Sequence, residues 1–112
     1  MYLRDPGSAA YLLVDQTTDP AADPVADWRA QERVVSRRLP GYRLIRLDPV
    51  TVGRWRGADW EFTHGRGTHV LNRNLVTGPD QAYALYWSAP DSSWDESATR
   101  LRQVMGSFRP RT

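Results

Sequence analysis

The segment "ADWEFTH", from Ala58 to His64, limits the possible folds more than any other part of the chain, because it alternates. In an extended backbone Ala58, Trp60, Phe62 and His64 fall on one side, and Asp59, Glu61 and Thr63 on the other. Period two means a strand. Gly65-Arg66-Gly67 follows as a short connection and "THVLNRNLVT" returns, which predicts a β-hairpin. A second turn at Gly78-Pro79-Asp80 sends the chain back through "QAYALYWSA".

The flanks switch period. In "DPVADWRAQERVVSRRLPG" Asp23 is placed to cap a helix, Pro24 to take its first position and Pro40-Gly41 to end it. Val25, Trp28, Val35 and Leu39 share one face at helical spacing. Glu32 lies on or beside that stripe, and a salt bridge at a buried edge explains it better than catalysis. In "SSWDESATRLRQVMGSF" Ser93 and Glu96 have the spacing of a capping box. Trp94, Ala98, Leu101, Met105 and Phe108 give this second helix one apolar side. "YRLIRLDPVTV" reads as an extended segment bent at Pro49. The opening "YLRDPGSAAYLLVDQT" reads as a strand preceded by a turn at Asp5-Pro6-Gly7-Ser8 and a short arm, Tyr2 to Arg4. A hairpin so curtailed makes the chain, residues 1–112, a single domain expected to be a fragment of a longer protein. The order β-α-β-β-β-β-α with tight turns predicts an α+β fold, an antiparallel sheet covered by two helices.

Bulk properties narrow the function. The 112 residues are 40% hydrophobic and 25% charged, as in a globular domain, and no apolar run approaches the roughly 20 residues that cross a membrane. The net charge is +2, and all 15 basic residues are Arg, spread along the chain with no run beyond Arg37-Arg38. That pattern lacks the clustered footprint of a nucleic-acid-binding domain. With no Cys, disulfides, thiolate metal sites and cysteine nucleophiles are excluded.

Catalytic constellations fare no better. A short turn would bring His64 and His69 together across the hairpin, but a zinc site needs three or four ligands, and no HxH or HExxH spacing exists. Two exposed hairpin histidines are the plainer reading. Gly65-Arg66-Gly67 starts like a phosphate loop, yet the third glycine is Val70 and no helix follows. Ser92, Ser93 and Ser97 lack a GxSxG setting. Asp59 and Glu61 read as solvated residues on a polar strand face rather than a glycosidase pair. No catalytic, cofactor-binding or metal-binding residue is assigned. The hairpin tip, with His64, Arg66 and His69, is the candidate place for a ligand or partner, because loops carry recognition.

"YLLVDQT", "DPVADW", "ADWEFT", "NRNLVTGPDQAYALYWSAP" followed by "W", and the closing "SFRP" resemble the C-terminal domain attached to many actinobacterial serine/threonine protein kinases. The resemblance runs from about Arg4 to Pro110. It implies a PsbP-like sheet sandwiched between helices. It further implies a parent with an N-terminal cytoplasmic kinase lobe, one membrane helix, and this domain outside as a sensor or interaction module. Such a module would meet an unknown ligand or protein partner, for example a cell-envelope component, and touch the membrane only through the parent's helix. HRD and DFG are absent, so the family's catalytic residues carry over to no position here. Stand-alone secreted or lipid-anchored proteins share this fold and are the nearest alternative. A small cone-shaped α+β enzyme, with a pocket between helix and sheet, is the alternative of a different class. His64, with Glu32 near it, would have to serve that pocket.

Overall fold

A computed structural model describes residues 2–4, 10–17 and 23–107. Six strands, β1 (Tyr2–Arg4), β2 (Tyr11–Thr17), β3 (Arg43–Val52), β4 (Trp55–His64), β5 (Thr68–Gly78) and β6 (Gln81–Pro90), form one sheet in the order β1-β2-β6-β5-β4-β3. Every neighbouring pair is antiparallel. Helix α1 (Pro24–Arg38) lies over β3, β4 and β5 on one face, and α2 (Trp94–Ser107) packs on the other. The predicted α+β sandwich therefore holds, with the short arm Tyr2–Arg4 added as a strand paired to β2. The turn expected at Asp5 to Ser8, and the side chains of Met105 and Phe108, lie outside the described residues.

The helix ends follow local chemistry. Asp23 caps α1 through its carboxylate, which accepts from the backbone N–H groups of Val25 and Ala26 at 3.0 and 3.3 Å. The start of α2 differs from the expected capping box. A 3₁₀ turn, Asp91–Ser93, leads into the helix, and the Ser93 hydroxyl donates backwards to the Pro90 carbonyl at 3.4 Å.

β3 also departs from expectation. Pro49 sits in regular register opposite Ala58, and the irregularity falls instead at Ile45, between the Leu44–Phe62 and Arg46–Glu61 pairs. β3 is an edge strand, where a proline's missing N–H need cost no ladder bond, whereas a bulge bends the strand.

Each face of the sheet has its own core. Facing α1, Trp28 packs with Ala58, Trp60, Phe62 and Val70, and the Trp28 indole N–H donates to the Ala58 carbonyl at 3.0 Å. Facing α2, Leu12, Leu71, Leu75, Leu85, Trp87 and Leu101 form the second cluster, with half-buried Trp94 against it. Two buried polar atoms of that cluster's side, Trp87 Nε1 and Ser97 Oγ, have no hydrogen-bond partner among the described residues.

Candidate functional site

The hairpin between β4 and β5 is a three-residue turn with Gly65 and Gly67 at φ +61° and +115°, backbone angles that favour glycine. That length pairs His64 with Thr68 and Thr63 with His69. The two histidines consequently lie on opposite faces of the sheet. His64 is half-buried near Phe62 on the α1 side, Arg66 is exposed at the tip, and His69 is only 6% exposed on the α2 side. The expectation of two exposed, adjacent histidines is thus corrected by the parity of the turn.

His69 belongs to a charged network. Its Nε2 lies 2.6 Å from Glu61 and its Nδ1 2.9 Å from Asp91, and its ring stacks on Trp94 at 3.5 Å and 4°. A neutral imidazole donates from one nitrogen only, while carboxylates only accept, so both contacts are satisfied together when the ring carries two protons. Glu61 and Asp91 approach opposite edges of the ring and cannot converge with it on one ion.

Asp59 anchors the other half of the network. It is 1% exposed, and Arg73 grips it with two bonds, Nε to Oδ1 at 2.7 Å and Nη2 to Oδ2 at 2.9 Å. Arg46 donates to Asp59 at 3.1 Å, to Glu61 at 2.9 Å and to Asp48 at 3.0 Å. Burial works to lower the Arg46 pKa, but its hydrogen bonds and charge contacts with Glu61 and Asp59 outweigh that and hold the guanidinium above its usual range. Asp59 and Glu61 are therefore not solvated strand residues. The two carboxylates share Arg46, Asp59 is held further by Arg73 and Glu61 by His69, whose ring stacks on Trp94 of α2.

A second, smaller polar cluster lies under α1. The Tyr42 hydroxyl donates to Glu32 at 2.7 Å and accepts from the Trp60 indole at 3.0 Å. Burial first, then Glu32, push the Tyr42 phenol up to about 12, against the pull of the Trp60 bond. Glu32 is thus held by a hydroxyl, where a salt bridge was expected.

Among the described residues the α1 side carries a broad concavity, and a smaller one of about 390 Å³ lies on the α2 side beside Arg46, Glu61 and Arg73. α1 covers β3 to β5, and β6 presents only Ala82 and Ala84 next to Tyr86 on this face, so the sheet is left with a groove of about 850 Å³. One row across its floor reads Leu13, Tyr86, Asn72, Trp60 by strand register. In the next row Asn74 is structural: its amide donates to the Pro24 carbonyl at 3.0 Å and its oxygen accepts from the Ala58 N–H at 2.6 Å. Asn72 is 8% exposed and its side chain has no hydrogen-bond partner among the described residues. Tyr86 stacks with Tyr11 at 6.0 Å, and burial together with Tyr11 pushes its phenol up to about 12. Sequence reasoning missed this groove. The run of alanines on β6 was its one visible signal.

A family model described as "Serine/threonine kinase C-terminal domain" matches residues 1–110. No curated protein sequence matches the chain. Among solved structures, a Pseudomonas aeruginosa protein of unknown function is similar, with a TM-score of 0.76 at 15% identity over 100% of this chain and 81% of that one. The solution structure of cyanobacterial PsbP from Synechocystis is similar with a TM-score of 0.67 at 15% identity, over 99% of this chain and 81% of that one. The architecture is PsbP-like.

Proposed function

The chain belongs to the family of serine/threonine kinase C-terminal domains, and on that premise we propose that it is the non-catalytic, extracytoplasmic sensor or interaction domain of a membrane-anchored kinase. The observation that carries this reading is a division of labour between the two faces. The groups that could do acid–base chemistry, Asp59, Glu61 and His69, are bonded to one another's partners under α2. The larger of the two concave surfaces described, by contrast, is lined mainly by aliphatic, aromatic and amide side chains, which suit binding more than reaction.

The enzyme alternative gains a groove between helix and sheet, where it needed one. However, neither His64 nor Glu32 lines it, and its carboxylates are instead Asp15 and Asp27. The hairpin tip is the rival contact surface. Of its three residues, His69 is tied to Glu61 and Asp91, and Arg66 alone is exposed.

The absence of cysteine gives a direct test of location. In cells producing the full-length protein, Arg66→Cys should be labelled by a membrane-impermeant maleimide without lysis, above the level of the unsubstituted protein. Labelling that requires lysis contradicts an extracytoplasmic placement. Calorimetric titration of this chain with Mg-ATP should give no saturable heat, and micromolar binding at one site would overturn the non-catalytic reading.

A further inference from the structure

We propose that the groove between α1 and strands β2, β5 and β6 is a small-molecule site for a neutral acyl amide, whose carboxamide meets the side chain of Asn72. This deepens the proposed sensor role and rests on it.

Three features carry the assignment. The first is Asn72 itself, more than nine-tenths buried, lining the groove, and unpartnered among the described residues. A side-chain amide offers two donors and an acceptor, and those of Asn72, not among the fully buried unpaired atoms, open onto the groove, where a ligand can take the place of water. The neighbouring Asn74 shows the usual case, with both ends of its amide bonded to backbone. Asn72 occupies the equivalent position one row away and presents the same groups to the groove. The complement of a carboxamide is another carboxamide, which accepts and donates at adjacent atoms.

The second feature is charge. The groove's charged lining residues are Asp15, Asp27 and Arg38, two carboxylates against one guanidinium, an excess that repels anions. A fatty acid or phosphate ligand would enter against this balance. The third is size and wall chemistry. A volume of about 850 Å³ falls within the range of small-molecule sites. Leu13, Val35 and Leu39 supply aliphatic wall on either side of Asn72, so an alkyl chain attached to the amide has apolar surface to cover.

The test uses the 112-residue chain with N-octanoylglycinamide and octanoate as probes, and affinities from calorimetry. The wild type should bind the amide saturably and octanoate at least about tenfold more weakly. Asn72→Leu removes the hydrogen bonds and fills the space with apolar atoms, so its affinity for the amide should fall roughly tenfold. Asn72→Asp keeps the size and loses the donors, and it should fall at least as far. This second variant keeps the test decisive if the first does not fold. The proposal is overturned by no saturable binding of the amide, by tighter binding of octanoate, or by unchanged affinity in either folded variant. If Arg66→Cys is labelled from outside while the amide fails to bind, only the groove assignment falls and the sensor reading stands.

Discussion

The two faces of this sheet solve opposite problems with the same strands. On the α2 side, β3 to β5 carry Arg46, Asp59, Glu61, His69 and Arg73; the two guanidiniums and two carboxylates pair with opposite charge within 3.1 Å, and His69 bonds Glu61. Under α1 the same strands carry Trp60, Phe62 and Val70, and polar groups are few and mostly bonded to backbone or to Tyr42. Titratable residues gathered in one place suggest chemistry. Here, satisfied carboxylates make a brace beside a cavity of about 390 Å³, and the less crowded face keeps the larger one of about 850 Å³. The contrast separates perturbed or buried charge from function, since a brace and an active site use the same residue types.

The comparison breaks first if the brace is dispensable. Asp59→Ala leaves Arg46 and Arg73 facing an empty buried site, and loss of one partner of a buried pair typically costs about 3–5 kcal/mol. Trp60→Ala opens the centre of the other face and should cost about 3–5 kcal/mol as well. Urea melts of both variants should show comparable losses. A loss below about 1 kcal/mol for either would remove that face from the structural core.

His69→Ala should cost less, about 1.5–3 kcal/mol, because it deletes charge-assisted bonds to Glu61 and Asp91 and the stack on Trp94. His64→Ala should cost less again, and equal losses would show that the hairpin's two faces are not distinct. The phenols sharpen the picture at high pH. Tyr42 and Tyr86 both stand near 12 in the folded chain, above the ordinary value of about 10. A raised phenol favours the folded state while it stays protonated, so this contribution is fully present below about pH 10 and lost as pH rises through 12. Tyrosinate absorbance during an alkaline titration should show two late phenols, and Tyr42→Phe should remove one. The smallest effect belongs to Asn72→Leu, whose stability should stay within about 0.5 kcal/mol of wild type, because no described protein bond is lost.

Much of this was legible in the alternation of Ala58 to His64 and in the capping of α1 by Asp23. Alternation tells which residues share a face but not whether that face is wet. Asp59 and Glu61 read as solvated because they are charged, yet a sheet with a helix on each side has no wet face at its centre. The expected sandwich already contradicted that reading. The histidines were misplaced by a matter of parity, since one residue more or less in the turn moves His69 to the other face. The groove was not legible, because it depends on where α1 settles across the strands, and Val25, Trp28, Val35 and Leu39 fix only which side of the helix faces down.

The central claim is that recognition belongs to the α1 face and the α2 face is frame. Chemical-shift mapping of the isotope-labelled chain with N-octanoylglycinamide tests it most directly. Perturbations should gather at Leu13, Asn72, Ala84 and Tyr86, with His69, Asp59 and Arg73 unmoved. Shifts clustered instead at His64, Arg66 and His69 would contradict the account and return the site to the hairpin tip.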